Sequence, residues 1–142
     1  MTDSLRDDVA VMGASAADGT SVPVRIRVTV GDKVLHATLE GSPAGRAFAA
    51  LLPLTVSLRD HAGTEKVSDL PARLPTEGSP PGTAAQAGDL AYYAPWGNLA
   101  CFYRPFGYAQ GLVRLGARRL DSGVDQLAAV DSDVPVTFAL LP

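Results

Sequence analysis

The chain has 142 residues with 12 basic and 15 acidic side chains, a net charge of -3, 46% hydrophobic residues and one cysteine. That is the composition of one soluble domain, long enough to bury roughly two-thirds of its unfolded surface without help from a metal or disulfide. The mild acidity excludes a general attraction to phosphate backbones or anionic lipid, and no apolar run is long enough to span a bilayer. The start, Met1-Thr2-Asp3-Ser4-Leu5-Arg6-Asp7-Asp8, is acidic where a secretory signal is basic and then apolar. A cytoplasmic protein is expected, with neither nucleic acid nor membrane as partner. A homodimer is compatible with the sequence but not required by it. Fourteen glycines and eleven prolines accompany Val-rich stretches, which points to a mainly β chain.

Residues 1–22 are small, polar and acidic, and are expected to form a flexible arm ahead of a domain over 23–142. Val24, Ile26, Val28 and Val30 alternate with Arg25, Arg27 and Thr29, the pattern of a half-buried strand. Gly31-Asp32 supplies a tight turn, and Leu35, Ala37 and Leu39 line the returning strand of a hairpin. Ser42 then caps a helix opened by Pro43, with Ala44, Phe48, Leu51 and Leu52 at helical spacing and Pro53 as the stop. Its apolar stripe predicts that Phe48 plugs the core.

Leu54, Val56 and Leu58 form the apolar face of the next strand, opposite Thr55, Ser57 and Arg59. A turn at His61-Ala62-Gly63 leads back through Glu65 to Leu70. Residues 71–88 hold four prolines and three glycines without periodicity and read as a long loop, either a wall of a site or disordered. Asp89 to Ala94 and Asn98 to Tyr103 form a hairpin around Pro95-Trp96-Gly97, its second strand apolar on both faces and hence the most buried. A strand over 111–120, a short helix over 124–130 and a last strand through Val134, Val136, Phe138 and Leu140 complete about eight strands and two helices. An open sheet of that size exposes its edges, so a closed antiparallel barrel is favoured.

The run Val34-Leu35-His36-Ala37-Thr38-Leu39, followed by Ser42-Pro43-Ala44 and Phe48-Ala49-Ala50-Leu51-Leu52, resembles the cyclophilin opening of strand, proline-started helix and Phe-x-x-Leu. Closer still are small bacterial proteins described as cyclophilin-like, which share runs similar to Leu51-Leu52-Pro53-Leu54-Thr55-Val56, Leu70-Pro71-Ala72-Arg73-Leu74-Pro75 and Gly88-Asp89-Leu90. The resemblance spans about residues 24 to 141. It implies a closed eight-stranded β-barrel with two capping helices. Cyclophilins twist an X-Pro bond on the outer face of that barrel, using an arginine, a glutamine, aromatic and apolar residues, a tryptophan and a histidine. Here Ser57-Leu58-Arg59 replaces the family's Phe-His-Arg, leaving Arg59 as the counterpart of the arginine. The glycine-rich stretch bearing the glutamine is missing, and Leu99-Ala100-Cys101-Phe102 stands where cyclophilins have Gln-Phe-Phe. Phe106, Tyr108 and Leu112 occupy the region of the tryptophan and histidine.

The implied function is therefore binding of a small molecule or peptide segment in an outer trough, without the full prolyl isomerase site. Arg59, Trp96, Phe102, Phe106 and Tyr108 are its candidate residues. No catalytic residue is assigned, unless the chain is a divergent isomerase relying on Arg59 with Phe102 and Phe106. A third reading is an accessory module that docks a partner protein through Trp96, at a hairpin tip where the indole either anchors a partner or folds back as core. Seven of the nine aromatics fall between Tyr92 and Tyr108, where they line a trough or divide between the two faces of the sheet. Arg104, Arg114, Arg118 and Arg119 form either an anion patch or a solvated face. Cys101 reads as a small buried hydrophobe. His36 and His61 carry no metal spacing, and no cofactor motif is present. Asp60, Glu65 and Asp69 cluster at one hairpin, as acid and base or as solvated turn carboxylates.

Overall fold

The computed structural model describes residues 22–118 and 123–142. Apart from Val22, the expected N-terminal arm lies outside the described residues, as do Arg119 and Leu120. The first hairpin follows the alternation closely. Strands β1 (Val24–Val30) and β2 (Lys33–Leu39) pair antiparallel, with Ile26 opposite Ala37 and Val28 opposite Leu35 on the buried face. Gly31 supplies the positive φ, 59°, of the turn. Helix α1 (Pro43–Ala50) starts where the Gly45 amide donates to the Ser42 hydroxyl at 3.1 Å, and it buries Phe48 edge-to-face against Phe138 at 5.8 Å.

Strands β3 (Leu54–Ser57), β4 (Arg59–His61), β5 (Glu65–Asp69), β6 (Gly82–Ala85), β7 (Asp89–Tyr93), β8 (Asn98–Phe102), β9 (Phe106–Gln110) and β10 (Leu112–Arg118) follow, then helix α2 (Gly123–Ala128) and strand β11 (Pro135–Leu140). Among the described residues nine strands form one antiparallel sheet in the order β3-β11-β1-β2-β10-β7-β8-β5-β4, and β9 and β6 form a separate two-stranded ribbon.

The closed eight-stranded barrel is thus corrected to an open, mainly β architecture. What reads as one strand from Leu54 to Arg59 is interrupted at Leu58, which is fully buried. Before Leu58 the chain pairs with β11, and after it with β5, so the two edge strands of the sheet are consecutive in sequence. The sheet must curve strongly to bring its edges to either side of one residue, yet no ladder joins them. The edges need no ladder because they are short, leaving few unpaired backbone groups to attract another strand.

The concave face holds the main core, with Ile26, Leu39, Phe48, Leu58, Leu90, Tyr92, Leu99, Leu115, Val136 and Phe138 fully or nearly fully buried. Lys66 is buried, its Nζ donating to the Val130 carbonyl at 2.9 Å. A second cluster lies on the opposite face: Val67, Ala91, Ala100, Phe102 and Leu112 pack beneath Ala85 and Ala109 of the ribbon. This two-sided cover explains why all five residues of β8 are buried. The ribbon corrects the loop reading of residues 71–88 in part, because Gly82–Ala85 within them form a strand.

Candidate functional site

Strand register sets out the site. Paired residues share a face of a sheet, as do residues two apart along a strand. One outward-facing rung runs Arg59, Val67, Ala100, Ala91, Arg114. On one side of it lie His61, Glu65 and Phe102, and on the other Asp69, Asn98, Tyr93 and Leu112. Over this face comes the ribbon, in which Phe106 pairs with Ala85 and Ala109 with Thr83. Between sheet and ribbon a cavity of about 300 Å³ remains, walled by His61, Glu65, Val67, Tyr93, Trp96, Asn98, Phe102, Phe106, Ala109 and Leu112. That volume is at the small end of the range for small-molecule sites.

Trp96 is brought to the cavity by the β7–β8 turn. The Gly97 amide donates to the Tyr93 carbonyl at 2.8 Å, the Ala94 amide to Gly111 at 2.9 Å, and the Arg73 guanidinium to the Ala94 carbonyl at 3.0 Å. The turn is therefore tied to two other segments. The indole is 60% exposed and stands edge-on to both Tyr93 and His61, at 5.3 and 5.6 Å between ring centroids. Of the two readings of Trp96 the exposed one holds. Phe106 is 44% exposed and lies 6.0 Å from Phe102.

The polar groups of the wall are few. Asn98 is 2% exposed, and its Oδ1 is buried with no hydrogen-bond partner among the described residues. An unpartnered buried acceptor costs about 1–3 kcal/mol. Glu65 is half-buried, and burial pushes its carboxyl above the usual carboxylate range, a push opposed by His61 and reinforced by Asp60. Asp60 itself is on the other face, opposite Lys66. It accepts from the Tyr103 hydroxyl and from the Gly63 amide at 2.9 Å, and Lys66 Nζ is 3.7 Å away. The Tyr103 bond comes first among the causes that hold the Asp60 carboxyl below its ordinary value, and the same bond pushes the phenol of Tyr103 up.

Of the sequence candidates, the fold brings Trp96, Phe102 and Phe106 together on the wall. Arg59 shares the outward face but stands opposite Val67 on the edge strand, off the wall. Tyr108 is 64% exposed on the ribbon, over Gly82, also off the wall. The Asp60, Glu65 and Asp69 cluster is divided, with Glu65 in the wall, Asp69 exposed and Asp60 on the far face. Arg104 is exposed. Arg114 is paired, its Nε 2.8 Å from Glu40 and its Nη1 3.7 Å from Asp89, and the remainder of the arginine patch falls outside the described side chains. Cys101 is a fully buried core residue. A second depression of about 240 Å³ is lined by Glu40, Ser42, Ser79, Thr83 and Arg114, and the Arg114–Glu40 ion pair forms part of its wall.

The reading from sequence misses Asn98, Glu65 and His61 as one group. Asn98 reads as the first residue of an apolar strand, with no chemistry of its own; only the register of β8 places it on the face that carries the cavity. Chemically the site offers apolar and aromatic surface, an unpartnered amide oxygen and a carboxyl beside an imidazole. Among the described residues its wall holds no Ser, Thr, Cys or Lys.

A comparison with curated proteins gives no match. Among solved structures, the solution structure of a hypothetical protein from Archaeoglobus fulgidus is similar, with a TM-score of 0.57 at 18% identity over 85% of this chain and 97% of that one. At that identity the likeness shows the fold. No helix among the described residues is long and apolar enough to cross a membrane. The family model of the cyclophilin-like family matches residues 28–139, a span from within β1 to within β11 that takes in the whole cavity wall, and the chain belongs to the cyclophilin-like family.

Proposed function

We propose that the protein binds a small molecule in the cavity between the sheet and the β6–β9 ribbon, without prolyl isomerase activity. The observation that carries this reading is the buried, unpartnered Oδ1 of Asn98 in a wall that is apolar and aromatic apart from Glu65 and His61. Binding sites have this composition, with apolar surface for affinity and a few polar groups for orientation. A compact cavity between two layers suits a small molecule better than a peptide segment. Arg59 supports binding without isomerisation, because in the isomerase reading the arginine steadies the rotating bond, and here it stands off the wall. A cytoplasmic setting is part of the proposal, in keeping with a core built without disulfides around buried Cys101.

Trp96 is the chain's only tryptophan, so its fluorescence reports on the cavity directly. A screen of small aromatic compounds is expected to yield ligands that shift this emission and raise the melting temperature together, since a molecule that binds only the folded state stabilises it. Hits that raise the melting temperature while leaving Trp96 unchanged would place the site elsewhere. A protease-coupled assay on an Ala-Pro peptide is expected to show only the uncatalysed rate, with times of tens to hundreds of seconds. A faster rate, abolished by Arg59→Ala in a folded protein, would restore the isomerase.

A further inference from the structure

Two acceptors of the wall, Glu65 and Asn98, lie far apart along it. Glu65 is directly across from Phe102, and Asn98 is four residues further along the same strand, so the two are separated by roughly 13 Å at the backbone. Among the described residues the Glu65 carboxyl has neither a hydrogen bond nor a salt bridge, and the charges acting on it are those of His61 and Asp60. The cations nearest in sequence are engaged or turned elsewhere: Lys66 faces the other side of the sheet and donates to Val130, and Arg59 is off the wall. Val67, Phe102, Phe106 and Trp96 share the wall with the two acceptors, Phe102 on the rung of Glu65. An anionic acceptor, a neutral acceptor far from it and aromatic surface on the same wall describe a ligand in negative.

We propose, on the reading of this cavity as a ligand site, that its ligand class is a small arylalkylamine. Its ammonium group donates to Glu65, its aromatic body lies among Phe102, Phe106 and Trp96, and a distal hydroxyl or N–H group donates to Asn98 Oδ1. Allowing a hydrogen bond of about 2.9 Å at each end leaves roughly 7–8 Å between the ligand's two donors. The ammonium gains from both the carboxylate and the aromatic faces, the pairing by which proteins recognise organic cations.

The test uses the full chain and four probes of one shape: tyramine with both donors, phenethylamine without the distal hydroxyl, tyrosol without the ammonium, and 4-hydroxyphenylacetate with an anion in its place. Affinities are read by Trp96 fluorescence and by calorimetry. Tyramine is expected to bind tightest, phenethylamine and tyrosol each about tenfold weaker, and the anion weakest. Glu65→Gln is expected to erase the advantage of tyramine over tyrosol while leaving its advantage over phenethylamine. Asn98→Leu is expected to do the converse. Equal binding of tyramine and tyrosol would overturn the amine assignment, and a Trp96 response to both would leave the cavity as a ligand site. If all four probes leave Trp96 unmoved while other aromatic compounds shift it, the amine class falls alone. If no compound shifts it, the site reading falls as well.

Discussion

Glu65 and Asp60 stand on adjacent strands and on opposite faces of the sheet, and their stability effects run in opposite directions with pH. The folded state raises the pKa of Glu65 through burial, against the pull of His61 and with the push of Asp60. The folded protein therefore holds this proton more tightly than the unfolded chain, and the stability it gains is full in acid and lost as pH rises through the folded value. Glu65→Gln is expected to stabilise the protein at pH 7 and to give no gain near pH 3, measured by urea unfolding at the two values. An equal gain at both would mean that burial of the charge is not the cause. Asp60 has its pKa lowered, first by the Tyr103 hydroxyl. Its contribution is present above the unfolded value and lost as pH falls through the folded one, so Tyr103→Phe is expected to destabilise at pH 7 and to cost much less at pH 2. A binding site that keeps a destabilising carboxyl at neutral pH fits a group held ready for a ligand.

At the scale of elements, α1 depends on its cap. Ser42→Ala removes the bond to the Gly45 amide and is expected to cost about 1 kcal/mol in chemical denaturation, with a loss below a few tenths contradicting the role. β10 depends on Gly116, at a register shift against β7. A Cβ there would stand 2.1 Å from the Thr38 carbonyl oxygen, so Gly116→Ala is expected to cost about 1–3 kcal/mol by overpacking backbone that cannot yield. The elements read correctly from sequence include β1, β2 and β11 by alternation, α1 by its cap and stripe, β7 and β8 as a hairpin with β8 apolar on both faces, and β10 and α2 within a few residues of their bounds. The ribbon escapes such a reading. Gly82-Thr83-Ala84-Ala85 sits among prolines and looks like a turn, yet its glycine is required where a Cβ would lie 2.4 Å from the Ala109 carbonyl. β9 is mostly exposed, so its aromatics follow no burial pattern. Since the ribbon forms one side of the cavity, Phe106 was readable as a candidate while the wall it joins was not.

For the molecule as a whole, the open sheet is set by one residue. Leu58 turns into the core and passes the chain from one edge to the other, a break that alternation through Leu54, Val56 and Leu58 conceals. The main core holds this curved sheet through large side chains from distant elements. Phe48→Ala is expected to cost about 3–5 kcal/mol, since it leaves a void beside Phe138, and a loss under 1 kcal/mol would show that α1 is not part of the cooperative core. The division of labour is between faces: the concave face supplies stability, and the convex face, with its smaller cluster and the ribbon, carries the cavity.

The most direct test of that division is to map ligand contacts by two-dimensional amide NMR during titration with aromatic fragments. The Trp96 indole N–H and the Asn98 side-chain amide are predicted to move first, followed by the backbone amides of Val67, Phe102 and Ala109. Shifts concentrated instead around Glu40, Ser42 and Arg114, or spread without focus over the surface, would contradict the assignment of the cavity as the binding site.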